Sequence, residues 1–177
     1  MDYRHVFFSA QGRISPRTFG QGYIILTGLV VILSVLGLII TPEFSNLQIA
    51  LFFPYLCVFG KRLHDAGQSA WLWLAILVVW MLMNGIATMV LMQAMTPQAY
   101  VMYTELAEAM ISATAVNPEE LQAKAQLVAR LSAVPNLAGY LVSAAIVGFV
   151  AYSLRSDPRP NRHGPPTSGG GRSDSRP

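Results

Sequence analysis

Four long stretches of this chain contain no Asp, Glu, Lys or Arg: 18–42, 44–60, 66–104 and 131–154. A hydrocarbon core about 30 Å thick is crossed by about 20 helical residues, so each stretch is a candidate span. Unpaired backbone N–H and C=O groups are costly in lipid, and an α-helix pairs all of them within one segment. Composition agrees: of 177 residues, 53% are apolar and 12% are charged, where a water-soluble chain carries about 25% charged residues. These figures disfavour a soluble enzyme, a nucleic-acid-binding domain and a disordered chain. The expected fold is all-α, an integral-membrane four-helix bundle with spans near 16–40, 42–64, 70–95 and 137–154.

Local signals set the ends of these helices. Ser15-Pro16 is a capping residue followed by a proline suited to the first helical position. The second span is the shortest apolar run, and Pro54 is expected to kink it. Thr41-Pro42-Glu43 lengthens it by supplying an N-cap, a first-position proline and an acid in the first turn. From 42 to 60 such a helix is about 28 Å long at about 1.5 Å per residue. Gly67 and Ser69 read as a C-cap and an N-cap joining the second and third spans. The first apolar segment is longer than a signal-peptide core of about 7–15 residues and lacks a small-x-small cleavage site, so it reads as an uncleaved anchor. Cys57 is the only cysteine and lies in the second span, where it reads as a small apolar side chain.

Charge asymmetry orients the spans. With the N-terminus inside and four crossings, Arg4, Arg13, Arg17, Lys61, Arg62, Arg155, Arg159, Arg162, Arg172 and Arg176 are cytoplasmic, ten of the twelve basic residues. Lys124 and Arg130 are external, with Glu43, Glu105, Glu108, Glu119 and Glu120. Basic residues near span ends hold their loops in the cytoplasm, so both termini are expected there. Removing the second span would move Lys61 and Arg62 outside and bring the acidic loop in.

Two regions lie outside the spans. Residues 97–115 and 118–134 are expected to form an external amphipathic helical hairpin between spans three and four, each helix opened by a cap and a proline, Thr96-Pro97 and Asn117-Pro118. Apolar positions on one face of each helix suit packing on the protein's own spans, and a partner surface is the alternative. Residues 155–177 contain five Pro, four Gly, four Ser and five Arg. That composition does not bury a core, and the distal part is expected to be disordered. Its arginines would also be attracted to anionic lipid.

No span carries an ionisable residue, which argues against proton- or sodium-coupled transport. Asn84 is the most notable polar span residue, either lining a pathway or making an interhelical hydrogen bond. Ala144 and Gly148 present a small face for close helix contact. The chain has no Gly-rich phosphate loop, G-x-S-x-G elbow or H-E-x-x-H pair. His5, His64 and His163 lack ligand spacing on one element. No catalytic residue, metal or cofactor is expected, and the protein reads as a non-enzyme without nucleic-acid partners.

Three polar segments exceed what positive-inside bias requires: residues 11–19, 61–71 and 157–166. Gly12-Arg13-Ile14-Ser15 with Phe19, Arg62-Leu63-His64-Asp65-Ala66-Gly67 with Ser69 and Trp71, and Pro160-Asn161-Arg162-His163-Gly164-Pro165 together resemble the signature of a bacterial inner-membrane family, domain of unknown function 805 (the YhaH-like proteins). The resemblance covers nearly the whole chain, and Arg-Leu-His-Asp-x-Gly is its most specific part. Pro16, Gly20, Ala70, Leu72 and Arg159 depart from the family pattern. The resemblance implies a multi-pass protein of the bacterial inner membrane, in a family with no established biochemical activity.

The residues themselves suggest one polar cluster at the cytoplasmic membrane edge, drawn from Arg13, Arg17, Arg62, His64, Asp65, Asn161 and Arg162. Asp65 would be its sole acid, accepting charge-assisted hydrogen bonds from one or two arginines. Residues 160–165 would fold back on it, with Asn161 capping a turn. The cluster would serve as a structural latch, as a site for an anionic lipid headgroup, or as a docking surface for a cytoplasmic or membrane partner. The simpler account is that Arg62 and His64 complement the C-terminal dipole of their own helix. Two functions remain open: a non-enzymatic interaction or scaffold protein, and a small oligomeric transporter or channel for a neutral or anionic solute.

Overall fold

The computed structural model describes residues 2–41, 43–112 and 117–167. The described residues form helices α1 (Tyr3–Phe8), α2 (Pro16–Ile39), α3 (Glu43–Asn46), α4 (Phe52–Asp65), α5 (Leu72–Met95), α6 (Pro97–Ile111), α7 (Pro118–Leu131) and α8 (Ala133–Ser153). A 3₁₀ turn, Leu47–Leu51, joins α3 to α4. The fold is all-helical, and α2, α5 and α8 are long and apolar enough to cross a membrane.

The starts of α2 and α7 follow their expected caps, whereas at the start of α6 the Thr96 side chain makes no capping hydrogen bond. The Ser15 hydroxyl accepts from the Thr18 amide at 3.2 Å, with Pro16 in the first turn of α2. The Asn117 side chain accepts from the Glu119 amide at 3.1 Å, with Pro118 opening α7. The second expected span is built differently from a single kinked helix. A proline ring clashes with the carbonyl four residues earlier when both belong to one α-helix. Here Ala50, four before Pro54, lies in the 3₁₀ turn, and Pro54 falls in the first turn of α4, where no intrahelical N–H bond is lost. Pro42, the expected start of that span, and residues 113–116 and 168–177 lie outside the described residues.

α4 ends in a Schellman motif. Gly67 takes a φ of +71°, and the amides of Gly67 and Gln68 donate to the carbonyls of His64 and Leu63 at 3.1 and 2.8 Å. Glycine adopts this left-handed conformation without the side-chain clash other residues meet.

The chain divides into two units, Met1–Val79 with Ala145–Pro177, and Trp80–Ala144. In the first, α1 and α2 pack on α4. Phe19, Tyr23 and Phe59 meet at ring centroid distances of 5.2–5.6 Å, edge to face between α2 and α4, a favoured aromatic geometry. On α8, Gly148 lets the Tyr23 ring approach its backbone, since a Cβ there would lie 2.3 Å from a ring carbon. In the second unit, α6 packs on α7, and the Ser143 hydroxyl donates to Asn84 Oδ1 at 3.3 Å.

Candidate functional site

α4 closes with Lys61-Arg62-Leu63-His64-Asp65, and all five residues are buried. Successive helical residues do not face each other, so Lys61 and Arg62 reach different neighbours. Lys61 Nζ donates to the carbonyl of Val6 at 2.8 Å and to that of His5, both in α1. Arg62 turns to α8. Its Nε donates to the Ala151 carbonyl at 3.1 Å, and its Nη2 donates to the Tyr152 carbonyl at 3.2 Å and to the Leu154 carbonyl. The last carbonyls of a helix have no intrahelical partner and carry partial negative charge. Two consecutive cations of α4 therefore cap the C-terminal ends of two other helices.

The Asp65 carboxylate is fully buried between two guanidinium groups. Arg62 Nη1 reaches Oδ2 at 2.7 Å and Arg13 Nε reaches Oδ1 at 3.2 Å. The Ser156 hydroxyl donates to Oδ2 at 2.6 Å, and the Thr167 hydroxyl donates to Oδ1. Arg13 spends its remaining donors on carbonyls: Nη1 on Arg159 and Gly164 at 2.9 and 3.4 Å, Nη2 on Asp65 and Asp157 at 3.2 and 2.5 Å. Arg62 Nη1 also contacts the Ser156 hydroxyl at 3.2 Å. A guanidinium has five N–H groups, and the bonds made by Arg13 and Arg62 account for all five on each. Among the described residues no buried side-chain nitrogen or oxygen lacks a partner. Burying charge costs several kcal/mol per ion unless it is paired and fully hydrogen-bonded. Here one carboxylate, two hydroxyls and a shell of helix-end and loop carbonyls meet that requirement.

The segment after α8 is tied down by the same residues. The Asp157 amide donates to the Asp65 carbonyl at 2.7 Å. The Asn161 side-chain amide donates to the His64 carbonyl at 3.0 Å, while its Oδ1 accepts from the His163 amide at 2.9 Å. Asn161 and Gly164 pair in a two-residue antiparallel bridge, closing a tight turn. The rings of His64 and His163 stack at 3.5 Å and 7°. His64 Nδ1 lies 3.2 Å from the Gly12 carbonyl, which can only accept, so Nδ1 carries the proton.

The sequence profile of a family described as Protein of unknown function (DUF805) matches residues 7–165. The chain belongs to the DUF805 family. No curated protein and no solved structure matches it. The DUF805 match runs from α1 through the Asn161–Gly164 turn and so contains Arg13, Lys61, Arg62, His64, Asp65, Ser156 and Asn161. Thr167, which also bonds Asp65, lies just beyond the DUF805 match.

Of the residues singled out from sequence, the structure brings together Arg13, Arg62, His64, Asp65 and Asn161. Of these, only Arg13 and Arg62 bond the Asp65 carboxylate, Asn161 bonds the His64 carbonyl, and Arg17 and Arg162 do not bond Asp65. Arg17 is exposed in the first turn of α2, where the helix dipole offers a cation no attraction. Arg162 is exposed at the tip of the turn and donates through Nε to His163 Nε2 at 3.0 Å. Asn84 contacts Ser143 on another helix rather than this cluster. Sequence reasoning missed the role of Lys61, the α1 helix whose end it caps, and the hydroxyls of Ser156 and Thr167. α1 is too short for hydrophobic periodicity to reveal. Among the described residues, no group of three His, Cys, Asp or Glu side chains is placed to hold a metal ion.

Proposed function

We propose that this DUF805 protein is a non-enzymatic interaction or scaffold protein of the bacterial inner membrane, in which an Asp65-centred latch on the cytoplasmic face fastens the segment after α8 to the helix ends. The observation that carries the reading is the Asp65 cluster. It joins residues just before α2, at the end of α4 and just after α8. If α2 and α8 both cross, the start of one and the end of the other lie on one side of the membrane. That requires an even number of crossings. α2, α5 and α8 supply three, and the helical run of α3, the 3₁₀ turn and α4 supplies the fourth, ending at the same cluster. The excess of Lys and Arg on that side supports its assignment to the cytoplasm.

Saturation of both guanidinium groups favours a latch over an open anion site at Asp65, because no N–H of Arg13 or Arg62 is left for a ligand. Asn84 is engaged with Ser143, the ordinary use of a polar residue between spans, and this favours packing over a solute pathway. Reconstituted vesicles test the reading against the transporter alternative. The scaffold reading predicts no flux of neutral or anionic solutes above protein-free vesicles. Flux that disappears in Asn84→Leu would overturn it.

A further inference from the structure

All three histidines of the chain, distant in sequence, line one open pocket of about 840 Å³ with Gln11, Gly12 and Arg162. Small-molecule sites occupy about 300–1,000 Å³ and combine apolar walls with a few placed polar groups. No carboxylate lines this pocket. Its charged residue is Arg162, and here the contrast with the neighbouring latch decides the ligand class. Arg13 and Arg62 have no N–H left to offer. Arg162 spends Nε on His163 Nε2 at 3.0 Å, and none of the latch bonds uses its Nη1 and Nη2 groups, the planar pair that matches phosphate geometry. The bond from Arg162 requires His163 Nε2 to be unprotonated, and protonation would convert that atom into another donor. A metal ion is disfavoured on geometry, since the described residues contain no group of three His, Cys, Asp or Glu side chains placed to hold one.

We propose that this pocket binds a phosphate group, held by the free edge of the Arg162 guanidinium with Gln11 and the histidine rings on its walls. Occupancy would act on the latch through shared residues. His64 lines the pocket and also accepts Asn161 at its carbonyl, and His163 is held in the Asn161 turn. A bound phosphate would therefore hold residues 161–164 in place. The phosphate comes either from a lipid headgroup or from a free anion, and the chemistry of recognition is the same.

The test uses the full chain in phosphatidylcholine nanodiscs. One arm titrates inorganic phosphate, and the other replaces a fraction of the lipid with phosphatidylglycerol. Amide hydrogen exchange at residues 9–12 and 161–164 is read in both. Slower exchange with inorganic phosphate assigns a free anion, and slower exchange with phosphatidylglycerol alone assigns a headgroup. Arg162→Gln is expected to weaken the response about tenfold or more, the scale of a lost hydrogen bond to a charged group. Arg17→Gln, which removes another exposed cation outside the pocket, is expected to retain it. A response that survives Arg162→Gln, or no response in either arm, overturns the proposal. Neither result touches the latch, whose own dependence on Asp65 is read in the absence of anion.

Discussion

The Asp65 cluster and the Trp80–Ala144 unit invert the usual arrangement of a soluble protein in opposite ways. In the cluster, charged side chains are inside: Lys61, Arg62 and Asp65 are each 0% exposed. In the other unit, large apolar side chains are outside, among them Leu82, Ile86 and Val90 on α5. The first arrangement is specific, because each charge is matched atom by atom to a named partner. The second requires only an apolar surrounding, which lipid supplies to any such side chain. Single substitutions should therefore be severe in the cluster and mild in the spans.

Removing the one acid should do most damage. Asp65→Ala leaves two buried guanidinium groups without a counter-charge, and breaking a buried ion pair from one side costs about 3–5 kcal/mol. Thermal unfolding in detergent, read against wild type, is expected to show a loss of that order. Arg62→Lys comes next. Lysine keeps the charge but has three donors instead of five, so at least two partners among Asp65, Ser156 and the α8-end carbonyls go unmet. A loss of about 2 kcal/mol is expected by the same measurement. In the other region Ser143→Ala removes the contact with Asn84, and polar contacts between membrane helices average about 0.6 kcal/mol. A loss as large as that of Arg62→Lys would erase the contrast between the two regions.

A pH titration adds the smallest effect. Burial, and then the charges of Arg162 and Arg13, hold the His163 imidazole below its ordinary value. The unfolded chain then takes up a proton near pH 6.5, about the ordinary imidazole value, while the folded chain still resists it. The contribution of the neutral ring is fully present above that pH and is lost as pH falls below it toward the folded value. Protonation of Nε2 also ends its acceptance of Arg162. Protection of the Asn161–Gly164 turn amides, taken relative to the intrinsic exchange rate at each pH, should therefore fall as pH drops below about 6.5, and His163→Gln should flatten the profile.

Much of this was legible in the sequence for physical reasons. The charge-free stretches foretold the apolar helices, and Ser15-Pro16, Gly67 and Asn117-Pro118 carry local chemistry that acts wherever it occurs. Asp65 stood out as the acid amid arginines. What sequence lacks is direction. Arg13 and Arg17 are both cations beside the start of α2, yet one is buried with every donor used and the other is in solvent. Lys61 and Arg62 look like two identical contributions to topology, and only the helical turn between them sends one to α1 and the other to α8. The 3₁₀ turn ahead of Pro54 arises because proline constrains the residues before it, and a change of helix type relieves the clash as well as a kink does.

The central claim is that Asp65 fastens the segment after α8. Amide hydrogen exchange at Asp157 and Gly164, in nanodiscs at pH 7.5 without added anion, tests it most directly by comparing wild type with Asp65→Asn. Asparagine keeps the shape but cannot accept both guanidinium groups as a carboxylate does. The account predicts at least about tenfold faster exchange at both amides in the variant, the step expected when a charge-assisted bond is lost, while amides of the α6–α7 hairpin are unchanged. Equal protection at Asp157 and Gly164 in the two proteins would contradict it.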